Sequence, residues 1–98
     1  MSLYVITRVR VDADGWLVEA TWQEADGQYN RRKGEPKVVG ADEIGNAIDR
    51  GDNVELIASS PAGTLIANEM MRREMRNGRN AIKILPQEDR AQFFVDRY

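Results

Sequence analysis

Two alternating runs joined by one Asp-Gly dipeptide constrain this chain more than any other feature. Over residues 3–11, Leu3, Val5, Thr7, Val9 and Val11 point one way and Tyr4, Ile6, Arg8 and Arg10 the other, the period of two of a half-buried strand. Residues 16–22 alternate likewise, with Trp16, Val18, Ala20 and Trp22 on one face and Leu17, Glu19 and Thr21 opposite. Asp14-Gly15 lies between them, a dipeptide suited to a two-residue type I′ loop in which both central residues take positive φ. That loop sets Val11 opposite Val18, Val9 opposite Ala20, Thr7 opposite Trp22 and Arg10 opposite Glu19. A slip of one residue puts Val9 against Glu19 and mixes the faces.

Residues 38–58 read as strand, short helix, strand. Ile44, Ala47 and Ile48 share one face at about 100° per residue, with Glu43, Asn46, Asp49 and Arg50 elsewhere, so the helix has one side to bury. Asp42 and Glu43 suit its first turn, where the amide dipoles favour negative charge, and Gly51 suits its exit. The opening motif Ile6-Thr7-Arg8-Val9-Arg10-Val11-Asp12-Ala13-Asp14-Gly15, followed by this acidic-start helix ending in Gly, resembles a family of small uncharacterised bacterial domains that open I-T-x-V-R-x-D-x-x-G. The resemblance spans residues 1–58 and implies a hairpin with a short helix. It implies no activity, cofactor or site residue.

The remaining segments are more ambiguous. Residues 23–37 form a polar connection with Gly27 and Gly34 as bends; connections of this length in compact domains tend to be functional or disordered. Beyond the break at residues 59–64, residues 65–77 must be divided between helix and strand. On a helical wheel Ile66, Ala67, Met70, Met71 and Met75 share one half and Asn68, Glu69, Arg72, Arg73 and Arg76 the other, whereas a strand mixes charge into both faces. The pattern therefore predicts a helix stopped by Gly78, with Glu69 and Arg73 as an i,i+4 pair and Glu74 dissenting inside the apolar arc. Residues 81–85 read as a short strand. Residues 87–98 read as a final helix with Ala91, Phe94, Val95 and Tyr98 on its buried side and Phe93 about 100° away.

The expected architecture is thus one α+β domain over residues 1–98, with about five strands and three helices in the order β-β-β-α-β-α-β-α. A chain of 98 residues with 42% hydrophobic content is large enough for a single core.

Composition limits the chemistry. There is no cysteine and no histidine, which removes disulfides, thiolate catalysis, the commonest metal ligand and the usual proton shuttle near neutral pH. No acidic spacing matches a calcium loop and no glycine pattern cradles phosphate. No catalytic, cofactor-binding or metal-ligating residue is assigned, and an enzyme ranks last among the functions considered. The formal charge of −2 gives no overall pull toward nucleic acid or membrane. With no membrane-length apolar run, a cytoplasmic protein is expected.

Two surfaces remain as candidates. Phe93 with Met70, Met71 and Met75 offers apolar material for a protein partner or for a symmetric homodimer, and a non-enzymatic interaction module of that kind is the leading expectation. The alternative is a nucleic-acid-binding accessory protein. It would use Tyr29, Arg31, Arg32 and Lys33 together with an arginine stripe over residues 72–79 that includes Arg72 and Arg76. The plainer account of both basic clusters is a solvated hairpin tip and the wet side of a helix.

Overall fold

The computed structural model describes residues 2–26, 31–60 and 63–84. Its strands are β1 (Leu3–Val11), β2 (Leu17–Asp26), β3 (Arg31–Arg32), β4 (Lys37–Val39), β5 (Asn53–Ser60), β6 (Gly63–Ile66), β7 (Met71–Arg76) and β8 (Arg79–Ile84). One α-helix, α1 (Ala41–Asp49), lies between β4 and β5, and a 3-10 turn (Asn68–Met70) precedes β7. A mixed sheet runs β3-β2-β1-β5-β6, with β4 also on the outer edge of β2; β7 and β8 form a separate two-stranded ribbon. The β1–β5 pair is parallel, and β2 is antiparallel to both β1 and β4. Strands β4 and β5 therefore run the same way, and α1 is the crossover between them.

The expected N-terminal hairpin forms, with two insertions in its register. Val9 pairs with Ala20 and Arg10 with Glu19, but Ile6 rather than Thr7 meets Trp22, and Leu17 rather than Val18 meets Val11. Thr7 and Val18 are each the extra residue of a β-bulge, and a bulge shifts the alternation by one. Strict period two sets Ile6 and Val9 on opposite faces, yet both are fully buried in one core, together with Leu17, Ala20 and Trp22. Val18 is left 44% exposed. The connection is not type I′ either. Gly15 has φ 89, while Asp14 keeps negative φ. Asp12 closes the turn: its carbonyl accepts from the Gly15 amide, and its Oδ1 accepts from the amides of Asp14 and Trp16, both at 2.9 Å. This is a turn fastened by an aspartate side chain, followed by a left-handed glycine. Gly15→Ala is expected to lower stability by about 1 kcal/mol or more, because a Cβ here takes positive φ and stands 3.4 Å from the Ile84 carbonyl oxygen. An unchanged denaturant midpoint would contradict it.

The central unit matches its expectation. Ile44 and Ala47 are fully buried against the sheet, with Ile48 packed at the margin. At the helix end the Asp52 amide donates to the Ala47 carbonyl and the Gly51 amide to that of Ile48, with Gly51 at φ 90. This double bond pattern is how a helix stops at a left-handed glycine.

The three-helix architecture is corrected by the second half of the chain. No helix spans residues 65–77. After β6 the 3-10 turn is fastened to β5, where Asn68 Oδ1 accepts from the Leu56 amide and the Leu56 carbonyl accepts from that of Ala67, both at 2.7 Å. Residues 71–84 then form an antiparallel hairpin whose two-residue turn is Asn77-Gly78, with φ 52 and 77. Both turn residues have positive φ, as a type I′ hairpin requires, and Asn-Gly is the dipeptide best suited to it. Gly78 therefore reverses a strand rather than stopping a helix. Within the polar stretch 23–37, β2 runs on to Asp26, Arg31 and Arg32 of β3 pair with its end, and Lys37 opens β4 along its edge. The last predicted helix, residues 87–98, lies outside the described residues.

Candidate functional site

The ribbon has two unlike faces, and the pairing of β7 with β8 fixes which residues share each. Directly opposed residues lie on the same side of an antiparallel pair, and every second residue joins them. One side carries Met71, Arg73 and Met75 opposite Ile84, Ile82 and Asn80. Ile82 and Ile84 are buried in the core. The other side carries Arg72, Glu74 and Arg76 opposite Lys83, Ala81 and Arg79. Four cations thus stand on one outward face, with Arg76 directly opposite Arg79 and Arg72 directly opposite Lys83.

Arg73 holds the inner side in place. Its guanidinium makes a two-pronged bond to Asp49, Nη1 to Oδ1 at 2.8 Å and Nη2 to Oδ2 at 2.9 Å, and Nε and Nη2 also donate to Asn80 Oδ1. This replaces the expected helical pair of Arg73 with Glu69. Asn80 in turn rests on Gly45 of α1, where a Cβ would stand 2.5 Å from the Asn80 Cγ. The ribbon is therefore clamped to the helix by one ion pair and one side-chain contact, and its cationic face is turned away from the core.

Hydrogen bonding to Arg73, with the attraction of its charge, lowers the Asp49 pKa, and the Asp49 carboxylate raises that of Arg73. The Asp52 pKa is lowered first by the Ser2 amide and then by Arg50. Carboxyls with depressed folded pKa values add stability above the unfolded value, near 3.9, and that stability is lost as pH falls through the folded one. The melting temperature is accordingly expected to fall below about pH 4, and Asp49→Asn to flatten that descent while lowering stability near neutrality. A wild-type profile parallel to that of Asp49→Asn would show that the pair does not form.

Trp16 completes the outward face. It bridges Lys83 on the free edge of β8, is half-buried, and lies under two cations, with Arg76 Cζ 4.3 Å and Lys83 Nζ 5.3 Å from its ring centre. Glu74 pairs with Arg72 at 3.0 Å rather than intruding on an apolar arc. Arg76, Arg79 and Lys83 make no ion pair among the described residues.

The other sequence candidates fall elsewhere. Met70 is buried in the core at 4% exposure, Met71 is half-buried beside it, and Met75 is 64% exposed near the ribbon tip; the three do not form one apolar surface. Phe93 and Tyr29 lie outside the described residues. Arg31 and Arg32 form β3 opposite Asp26 and Ala25, and Lys33 pairs with Glu24 at 3.8 Å. That end of β2 is about 30 Å from the Trp16 end, at roughly 3.3 Å per residue, so the two basic clusters do not make one surface. Beside Lys33 a cavity of 230 Å³ is lined by Tyr4 and Trp22, whose rings stack at 4.1 Å, with Lys33, Lys37, Glu24 and Glu43 among its rim residues. Its opposing charges leave no strong field of either sign. Lys83 and Trp16 were not recognisable as site residues from the helical reading, because only the Asn77-Gly78 turn brings Lys83 beside Arg72.

No group of three or more acidic side chains among the described residues is placed to hold a metal ion, and no helix among them is long and apolar enough to cross a membrane. No family model, curated protein or solved structure matches this chain.

Proposed function

We propose that this protein is a non-enzymatic binding module whose β7–β8 ribbon holds the phosphate backbone of a nucleic acid. The carrying observation is the placement of Arg76 against Arg79 and Arg72 against Lys83 on one outward face. Like charges directly opposite one another across two strands weaken the pairing; within the fold Arg76 and Lys83 rest on the Trp16 ring and Arg72 on Glu74, while Arg79 makes no ion pair among the described residues. An anion laid along the face relieves the repulsion. Four cations against the single carboxylate of Glu74 also make a locally basic stripe in a chain whose total charge is −2, which favours one orientation of approach over indiscriminate adhesion.

Self-association through a methionine-rich helix loses its support, because that helix is absent and Met70 is in the core. The 31–33 cluster contributes less, since Lys33 is already paired with Glu24.

Binding of a labelled single-stranded oligonucleotide, followed by fluorescence polarisation, tests the proposal. With three or four phosphates neutralised, log K is expected to fall against log salt with a slope of about −2 to −3. That corresponds to roughly 20- to 60-fold weaker binding at 200 mM than at 50 mM salt. Absence of binding at low salt, or a slope near zero, would rule it out.

A further inference from the structure

We infer that the nucleic acid taken by this face is single-stranded, with one base stacked on the Trp16 indole; this rests on the phosphate-binding reading above. Trp16 stands on the outward side of the ribbon, and over its ring lie the heads of two long flexible side chains, Arg76 and Lys83. A guanidinium and a base compete for the same flat surface, since each is a planar π system. When a base takes the ring, Arg76 is released toward the adjoining phosphate, so both contacts are kept in one bound state. In a duplex the bases are stacked on one another and unavailable to the indole.

A single strand can follow Arg72, Lys83, Arg76 and Arg79 along the outward face and turn one base toward the ring. The inner side of the ribbon is packed into the core through Ile82 and clamped to α1 by Arg73, so the four cations stand on the side turned away from the core.

The test uses the full chain, a short oligothymidylate and a duplex of the same length, with tryptophan emission and polarisation read together. Trp22 is stacked on Tyr4 and lines the cavity beside Lys33, so a ligand-dependent change is assigned to Trp16 by its disappearance in Trp16→Phe. Oligothymidylate is expected to quench the emission and to bind at least about tenfold tighter than the duplex. Trp16→Phe should keep most of that preference, while Trp16→Leu should weaken single-strand binding by about 5- to 100-fold and leave a residual salt-dependent affinity. Quenching present in the wild type and absent from Trp16→Phe decides the matter even if the leucine variant does not fold. Equal binding of duplex and single strand without quenching would overturn the stacking role and leave phosphate binding intact. No binding of either would overturn both.

Discussion

Ile82→Ala is expected to lower the stability of this protein by about 2 to 5 kcal/mol, while Met75→Ala changes it by no more than about 0.5 kcal/mol. Ile82 is fully buried in β8 and belongs to the core formed by α1, β1, β2 and β5. Removing three of its carbons leaves a cavity where the ribbon meets the helix, and the clamp of Arg73 and Asn80 limits how far the walls can collapse into it. Met75, 64% exposed, leaves nothing behind. The contrast separates the observed hairpin from the helix that the same residues suggest. On the helix, Met75 sits on the buried side with Met70 and Met71, and its truncation would cost as much as any core deletion. Denaturant melts of the two variants decide between them, and comparable losses would contradict the ribbon.

Arg79→Glu is expected to weaken single-strand binding by about 10- to 30-fold at 0.1 M salt while raising the stability of the free protein by roughly 0.2 to 1 kcal/mol. The two effects have one origin. Opposite Arg76, the new carboxylate turns a repulsive cross-strand pair into an attractive one, which favours the hairpin. The same change removes one cation and adds one anion on the face proposed to hold phosphates. A purely structural role for the arginines predicts no such trade, and a variant less stable than the parent but equal in binding would argue against the proposal.

The sequence made the hairpin partners Val9 with Ala20 and Arg10 with Glu19 legible, and also α1 with its exit at Gly51, because each depends on local alternation or local turn chemistry. The bulges at Thr7 and Val18 were not legible. They let Ile6 and Val9 face one core, a demand of the packing between sheet and helix that no pattern of period two expresses. The stretch 65–77 misled for a related reason. As a strand it places Arg73 among apolar neighbours, which reads as an error until Asp49, far away in sequence, is seen to pair with it. One local signal was present: Asn77-Gly78 between two polar-apolar runs is a hairpin turn. Read as a helix stop it accounts for Gly78 alone, whereas the type I′ turn accounts for both residues.

The candidate site follows the same division. Arg72 and Arg76 were visible as a stripe, but a helical stripe has no partner strand, and Lys83 and Trp16 join the face only through pairing. The basic residues near Arg32 looked equivalent in composition and differ in placement.

Amide and indole chemical shifts recorded while oligothymidylate is added test the central claim most directly. The ribbon face predicts that the Trp16 indole N–H and the amides of Arg72, Arg76, Arg79 and Lys83 move together and saturate at one affinity, while those of Arg32 through Lys37 stay in place. Shifts concentrated at Arg32 to Lys37 or around the Tyr4–Trp22 stack, with the ribbon unmoved, would contradict it.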